Sequence, residues 1–458
     1  MTTDLSSEEL IAAFAREHRL PSVAVALVAA DGPVRTLAYG HADLDAETEA
    51  SPSTVYRIGS ITKTFTAASV LQLRDTGRLR LDDPLVEHIP EFAQVTNPFG
   101  PIEDVTVRRL LTHEAGVPVE STAFDWDERR FPSIDDIIAG FPETTLAVEP
   151  DGEVKYSNLG YQLLGEVIAR SGGKPYRTYI TEHLLEPLGM DSTAFELDGE
   201  LAPRAARGHE PPAFSDRLQP SPDRLKATDA DGGLCSSVED VAKWLRLQFR
   251  TDVQLSGGDQ VLSGPSLADM HRPRRVLNRD WTQAMGLGWR VYRREDGEIH
   301  IGHAGGTFGF TGMALFSPAR GVGVVALTNG EGPTGKLAAR LLRLEDLDRA
   351  STPTPGGAPD LPQPVPVPFG EFLGIYAWKD HSAPARVEWL RGRLVLSSFD
   401  ERHGEQLSVL EPTDDPLVFV VHGGRGNGEP CTFRRGPTGH ITGLAIGGWP
   451  LVKLVSAE

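Results

Sequence analysis

Seven prolines crowd residues 351 to 368, Ser-Thr-Pro-Thr-Pro-Gly-Gly-Ala-Pro-Asp-Leu-Pro-Gln-Pro-Val-Pro-Val-Pro. Each proline fixes φ and removes a backbone donor, so neither a helix interior nor a central strand runs through that stretch. It reads as an extended, semi-rigid connector. A chain of 458 residues is long for one compact unit. The connector divides it into a large unit, residues 1–350, and a small one, residues 369–458.

The large unit begins with Ser6-Ser-Glu-Glu9, a capping-box pattern, and a helix carrying Leu10, Ile11 and Phe14 on one side. Val23 to Ala30 then reads as a buried strand, turned by Asp31-Gly32-Pro33 into Val34–Tyr39. A second strand pair, Gly312–Phe316 and Val322–Leu327, lies at the far end, followed by a helix over 335–347. Between them the periodicity is helical, as at 106–113, 159–171 and 238–249. Strands at both ends with helices between predict an α/β (α+β) unit: one antiparallel sheet, flanking helices and an all-helical insert. After the connector, Arg386–Leu390, Arg393–Leu396, Leu417–Val421 and Ile441–Ile446 are separated by Gly, Asp and Pro turns. That spacing predicts a small all-β barrel or sandwich.

Charge narrows the partners. Lys and Arg number 45 against 64 Asp and Glu, a formal charge of −19. Such a field repels phosphate backbones and anionic membranes, which argues against nucleic acid or a membrane surface as a partner. A small-molecule or peptide substrate, including one tethered to a carrier, fits better. Cys235 and Cys431 stand far apart, outside any disulfide or metal spacing, and read as reduced buried thiols. The start of the chain has no basic and apolar leader pattern, and no apolar run reaches membrane-spanning length; the expected location is cytoplasmic.

Three short stretches carry residue types suited to chemistry. In Gly59-Ser60-Ile-Thr-Lys63, apolar residues recur at 61, 65, 68 and 71, and Asp75-Thr-Gly77 closes the helix. Gly59 permits a tight entry, so Ser60 falls in the first turn with Lys63 on the same face. A hydroxyl there gains from the helix dipole as negative charge develops, and a desolvated lysine can take its proton. The plainer alternative is a serine that caps the helix and a lysine in solvent. Ser171-Gly-Gly-Lys174 repeats the spacing after a helix, through two glycines, without a fixed face. Tyr156-Ser-Asn158 precedes the next helix; Tyr can hold or pass a proton and Asn can orient a lysine or a carbonyl. Alternatively Asn158 is an N-cap and Tyr156 a packing ring. In Gly302-His303-Ala-Gly305-Gly306, the glycines permit close backbone approach, and an N–H near Gly306 suits an oxyanion hole. His303, placed beside a turn, could donate to a substrate or to Tyr156, or simply be hydrogen-bonded.

In order and local context, Ser60-x-x-Lys63, Tyr156-x-Asn158 and His303-x-Gly305 resemble the serine β-lactamase and penicillin-binding-protein superfamily, in its class C β-lactamase-like branch. Leu110–Gly116, Gly232–Ser237 and Gly286–Trp289 also resemble that branch, and the likeness covers about residues 8 to 345. It implies a two-step acyl transfer with Ser60 as nucleophile, Lys63 or Tyr156 as its base, and the N–H groups of Ser60 and Gly306 as the oxyanion hole. Asn158 would position Lys63 and substrate; His303 would support Tyr156 or a substrate carboxylate. β-Lactamases of this branch carry Lys-Thr-Gly where this chain has His303-Ala-Gly305. That departure points toward D-aminopeptidases, related peptidases and penicillin-binding-protein-type thioesterases, several of which carry a C-terminal lipocalin-like barrel. The expected function is a serine hydrolase or acyltransferase on esters or amides of small or D-residue-containing substrates. Alternatives are a thioesterase that cyclises or releases a nonribosomal peptide, then a β-lactamase, then a non-catalytic protein on the same scaffold. No cofactor is expected: Gly321–Ala326 matches a dinucleotide fingerprint but follows a turn and opens no helix. No metal is expected either, since the 13 histidines are scattered and HExxH is absent.

Overall fold

The computed structural model describes residues 6–124, 131–210, 219–220, 229–251, 261–344, 365–378, 385–390, 392–398, 408–424 and 426–456. Its first helix, Ser7–Glu17, starts where the capping box predicts, with Ser6 and Glu9 bonded reciprocally and Leu10, Ile11, Phe14 and Ala15 buried. The adjoining strand runs Ser22–Ala29 and its hairpin partner Arg35–Asp43.

These strands belong to a nine-stranded antiparallel sheet built from both ends of the large unit. Across it the order is Thr48–Glu49, Arg35–Asp43, Ser22–Ala29, Val322–Thr328, Phe310–Ser317, Ile299–Thr307, Arg290–Arg293, Gln283–Met285 and Arg275–Val276. Val25 pairs with Ala326 and Leu27 with Val324, joining the two ends at the middle of the sheet. Side chains alternate faces along a strand. Val23, Val25 and Leu27 therefore pack under the first helix and the helix Thr334–Leu344, while Ala24, Ala26 and Val28 face the helical insert. Both faces are covered, which explains an unbroken apolar strand in an antiparallel sheet. The expected helix end at 345–347 and connector residues 351–364 lie outside the described residues; Val367–Phe372 forms a 3-10 turn.

At the centre of the insert lies the helix Thr62–Asp75, buried from Thr62 through Leu71. Its sequence pattern predicts a single apolar face; the structure buries the threonine face as well. That is tolerable because the hydroxyls are bonded. Thr64 Oγ1 donates to the Ile61 carbonyl at 2.8 Å and accepts from Trp244 Nε1 at 2.9 Å; Thr66 Oγ1 donates to the Ala230 carbonyl at 2.6 Å. Phe65 stacks on Trp244 at 4.1 Å between ring centres.

The small unit is a closed antiparallel barrel of eight strands, from Gly374–Ala377 to Trp449–Ser456, with the first paired to the last. Phe372, Phe419 and Phe433, 4.6 to 5.5 Å apart, fill its interior. Trp378 is buried with them and meets Phe308 of the large unit at 6.4 Å, whereas Trp389 is half-buried against Phe369. Cys235 and Cys431 are free and buried. Among the described residues no helix is long and apolar enough to cross a membrane.

Candidate active site

Ser60 sits in a 3-10 turn, Gly59–Ile61, that feeds straight into the buried central helix. It does not cap that helix: the N-cap position is Ile61, without a side-chain bond. Gly59 has φ of +50°, and a Cβ there would lie 2.7 Å from the Gly306 nitrogen. Both constraints demand glycine. Gly305 meets the same turn from the sheet, where a Cβ would lie 1.9 Å from the Ile58 carbonyl oxygen. The His-x-Gly-Gly stretch therefore serves first to bring the protein's own strand against the Ser60 turn. Gly306 is the exposed member beside it.

Lys63 lies one helical turn on, wholly buried. Its Nζ reaches Ser60 Oγ at 3.1 Å, Asn158 Oδ1 at 2.8 Å and the Asp231 carbonyl at 2.7 Å, with Asp231 Oδ2 at 3.8 Å. Two of these partners are carbonyl oxygens, which only accept. They hold two amine protons, so the third tetrahedral position is aimed at Ser60. There the nitrogen donates as an ammonium or accepts the serine proton as an amine. That is the geometry of a base matched to one nucleophile.

Tyr156 lies beside Lys63, whose Nζ is 5.1 Å from its ring centre. Its ring stacks on His113 at 4.3 Å. The His113 Nδ1 accepts the Ser157 N–H at 3.1 Å, and its carbonyl accepts the Lys155 N–H at 2.8 Å. Ser157, not Asn158, caps the helix Asn158–Gly172, accepting from Gly160 N–H at 2.8 Å. This corrects the capping alternative and frees the Asn158 amide, whose Nδ2 donates to Glu120 Oε1 at 2.5 Å while its oxygen holds Lys63. Tyr161 also lies 5.5 Å from Lys63 Nζ, but burial pushes its phenol well above the usual range and its hydroxyl donates to the Leu111 carbonyl at 2.9 Å. It is poorly placed to exchange protons, whereas Tyr156 is only half-buried.

His303 lies within the strand Ile299–Thr307 rather than beside a turn. Burial, then the nearby Lys63 charge, pushes its imidazole down to about 3. Its Nδ1 lies 2.7 Å from the Ala304 carbonyl oxygen. A carbonyl only accepts, so Nδ1 carries the proton and Nε2 is an acceptor. With Nδ1 committed to the Ala304 carbonyl, this ring offers an acceptor at Nε2 rather than the donor expected toward substrate or Tyr156.

The candidates thus gather around Lys63, with Ser60 and Asn158 bonded to it, Tyr156 beside it and His303 within reach of its charge, while Gly305 and Gly306 pack against the Ile58–Gly59 turn. Sequence reading missed Asp231, Glu120 and the role of His113. Asp231 acts mainly through a main-chain carbonyl, which any residue supplies, so it leaves no residue-type signal. The Leu110–Gly116 stretch carries His113, and its positive φ of 60° marks a constrained turn visible only in the fold. Among the described residues no cluster of His, Cys, Asp or Glu is arranged to hold a metal. Gly321–Ala326 proves to be a turn and strand, with no helix at its end.

Comparisons with known proteins agree with the fold. The Beta-lactamase family model matches residues 8–348. Protein flp of Staphylococcus aureus (strain MW2) is 27% identical over 314 residues, covering 69% of this chain and 60% of flp. The chain thus spans about 60% of the length of that curated relative. The octameric penicillin-binding protein homologue from Pyrococcus abyssi is similar over 98% of this chain and 99% of its own, with a TM-score of 0.65 at 25% identity. SurE is similar over 98% of both chains, with a TM-score of 0.62 at 27% identity. Both of those likenesses extend through the barrel. With the family model matching most of its length and a buried lysine set against the serine, this chain belongs to the beta-lactamase family.

Proposed function

We infer that the protein is a serine acyl-enzyme hydrolase or acyltransferase acting on ester or amide bonds of small or D-residue-containing substrates. The observation that carries this reading is the Lys63 amine, held by two carbonyl oxygens and aimed at Ser60 Oγ. Ser60 attacks the carbonyl while its proton passes to Lys63 or Tyr156. The N–H groups of Ser60 and Gly306 receive the oxyanion, since Gly59 and Gly306 lie in contact. Tyr156 protonates the leaving group, then activates water or an amine that releases the acyl group and restores the Ser60 hydroxyl.

The neutral His303 supplies no positive charge to a substrate carboxylate, which supports esters and amides over β-lactam acids. A structure of SurE is known with D-Leu, at 26% identity to this chain. That supports a substrate containing a D residue. A second reading keeps the same acyl-enzyme and lets an amine of the peptide, rather than water, release it as a cyclic product. A panel of p-nitrophenyl esters, D-amino-acid amides, nitrocefin and peptidyl thioesters, run on wild type and Ser60→Ala, tests both. Turnover of esters or D-amides lost in the variant is expected; equal turnover in both proteins would defeat the reading.

A further inference from the structure

We propose that Glu429, on a turn of the C-terminal barrel, is a positioning residue for the Tyr156–Asn158 loop, so that the barrel forms part of the catalytic machinery. The inference rests on the acyl-enzyme reading above. Glu429 is buried, 5% exposed, and its carboxylate forms an ion pair with Lys155, itself 1% exposed. Lys155 immediately precedes Tyr156 in the chain. The same Glu429 Oε1 accepts the Val119 N–H at 3.0 Å. The Val119 carbonyl in turn accepts the N–H groups of Asn158, at 2.8 Å, and Leu159, at 3.0 Å. One carboxylate thus holds the side chain of the residue before Tyr156 and, through Val119, the N–H groups of Asn158 and Leu159.

The fit around this grip is close. A Cβ on Gly428 would lie 2.5 Å from Val148 Cγ1 and 2.6 Å from the Ala147 oxygen, so the turn presses against the large unit. On the other side, a Cβ on Gly447 would lie 1.9 Å from Glu429 Oε2, so the next barrel turn leaves room for the carboxylate only because it is glycine. Asn427 adds a second tie, donating to Glu153 Oε2 at 2.8 Å while its own oxygen accepts the Gly423 N–H at 2.7 Å. A burial site for a carboxylate is costly to build without a matching ion and hydrogen bonds. Here those partners lie in the segment that carries the phenol and the amide of the active site. The chain folds the barrel turn, Lys155 and Val119 into one unit, and a loose clamp would let Tyr156 drift from Ser60, where misplacement of about 1 Å is worth roughly 100-fold in rate.

Single-turnover acylation of the full-length chain by p-nitrophenyl acetate, followed by intact mass and substrate dependence, tests this. It yields the acylation rate constant and the apparent binding constant separately. Glu429→Ala, assayed where its circular dichroism matches wild type, is expected to acylate at least fivefold more slowly with binding unchanged within twofold. Hydrogen exchange at Asn158 and Leu159 should quicken in parallel. The double variant Lys155→Met/Glu429→Gln keeps an acceptor for Val119 N–H without leaving either charge alone, and should recover to within threefold of wild type. If Glu429→Ala does not fold, Glu429→Gln is judged by the same fivefold line. Folded Glu429→Ala, or the single variant Glu429→Gln where it stands in for it, acylating less than fivefold more slowly than wild type overturns the proposal, even with a lower melting temperature. Wild-type protein that gains no acyl mass on Ser60 defeats the enzyme reading itself, and exchange at residues 158 and 159 still reports whether the clamp exists.

Discussion

Ser60-x-x-Lys63 and Ser171-x-x-Lys174 have the same spacing and opposite fates. Lys63 is buried with its nitrogen shared among Ser60, Asn158 and Asp231. Lys174 is exposed and pairs with Glu182, while Ser171 Oγ meets His88 Nδ1 at 3.2 Å instead of its lysine. The helix Asn158–Gly172 ends between them, and Gly173 adopts a left-handed conformation that turns the chain away. Spacing supplies neighbours only while a helix continues. Burial and fixed acceptors then set a neighbouring amine against the serine, as the proposed base requires.

The strongest way to break this comparison is to remove the hydroxyls. Ser60→Ala should cost about 10⁴-fold or more in ester turnover, by analogy with loss of any activated nucleophile, while Ser171→Ala stays within about twofold. Steady-state hydrolysis of p-nitrophenyl esters measures both. Tyr156→Phe, which keeps the ring on His113 and deletes only the phenol, should lower the rate about 10²- to 10⁴-fold with little change in stability. Asn158→Ala removes one of the two carbonyl holds on Lys63 and should cost about 10- to 100-fold, mostly in the rate constant rather than in KM. Lys174→Ala removes an exposed pair worth about 0–1 kcal/mol and should leave both rate and melting temperature nearly unchanged.

A pH series sharpens the same contrast at the sheet edge. Burial holds both His303 and His271 near 3, against 6.5 for an ordinary imidazole. The unfolded chain binds protons there that the folded chain refuses, so stability is complete above about 6.5 and is lost progressively as pH falls toward 3. Urea midpoints for wild type should fall between pH 7.5 and pH 5. His303→Asn should fall less over that interval. Acylation itself should show no step near pH 6.5 assignable to His303.

Much of this architecture was legible in sequence because local rules and the global fold agree. The Ser6–Glu9 capping box and the alternating strands after residue 385 form where pattern placed them, and the strand expected over Val23–Ala30 runs Ser22–Ala29. The site's three motifs were legible as residue types at fixed spacing: Ser60 and Lys63 one helical turn apart, Tyr156 and Asn158 around the Ser157 cap, and His303 among glycines. What stayed hidden depends on tertiary approach. The central helix buries its threonines because their hydroxyls find carbonyls in distant segments such as Ala230. His303 looked like a turn residue because glycines flank it, yet they lie in a strand that presses on Gly59. Glu429 sits in a glycine-rich turn with no periodicity to read, and only docking of the barrel gives it Lys155. Backbone-mediated roles, such as that of Asp231, leave no trace in residue type.

The most direct test is a fluorophosphonate challenge of folded protein, read by intact mass and peptide mapping. One adduct on Ser60, absent in Ser60→Ala and slowed in Tyr156→Phe, is the expected result. Folded protein that gains no adduct, or gains it equally at Ser171, would contradict the claim that burial and fixed acceptors make Lys63 the base for Ser60.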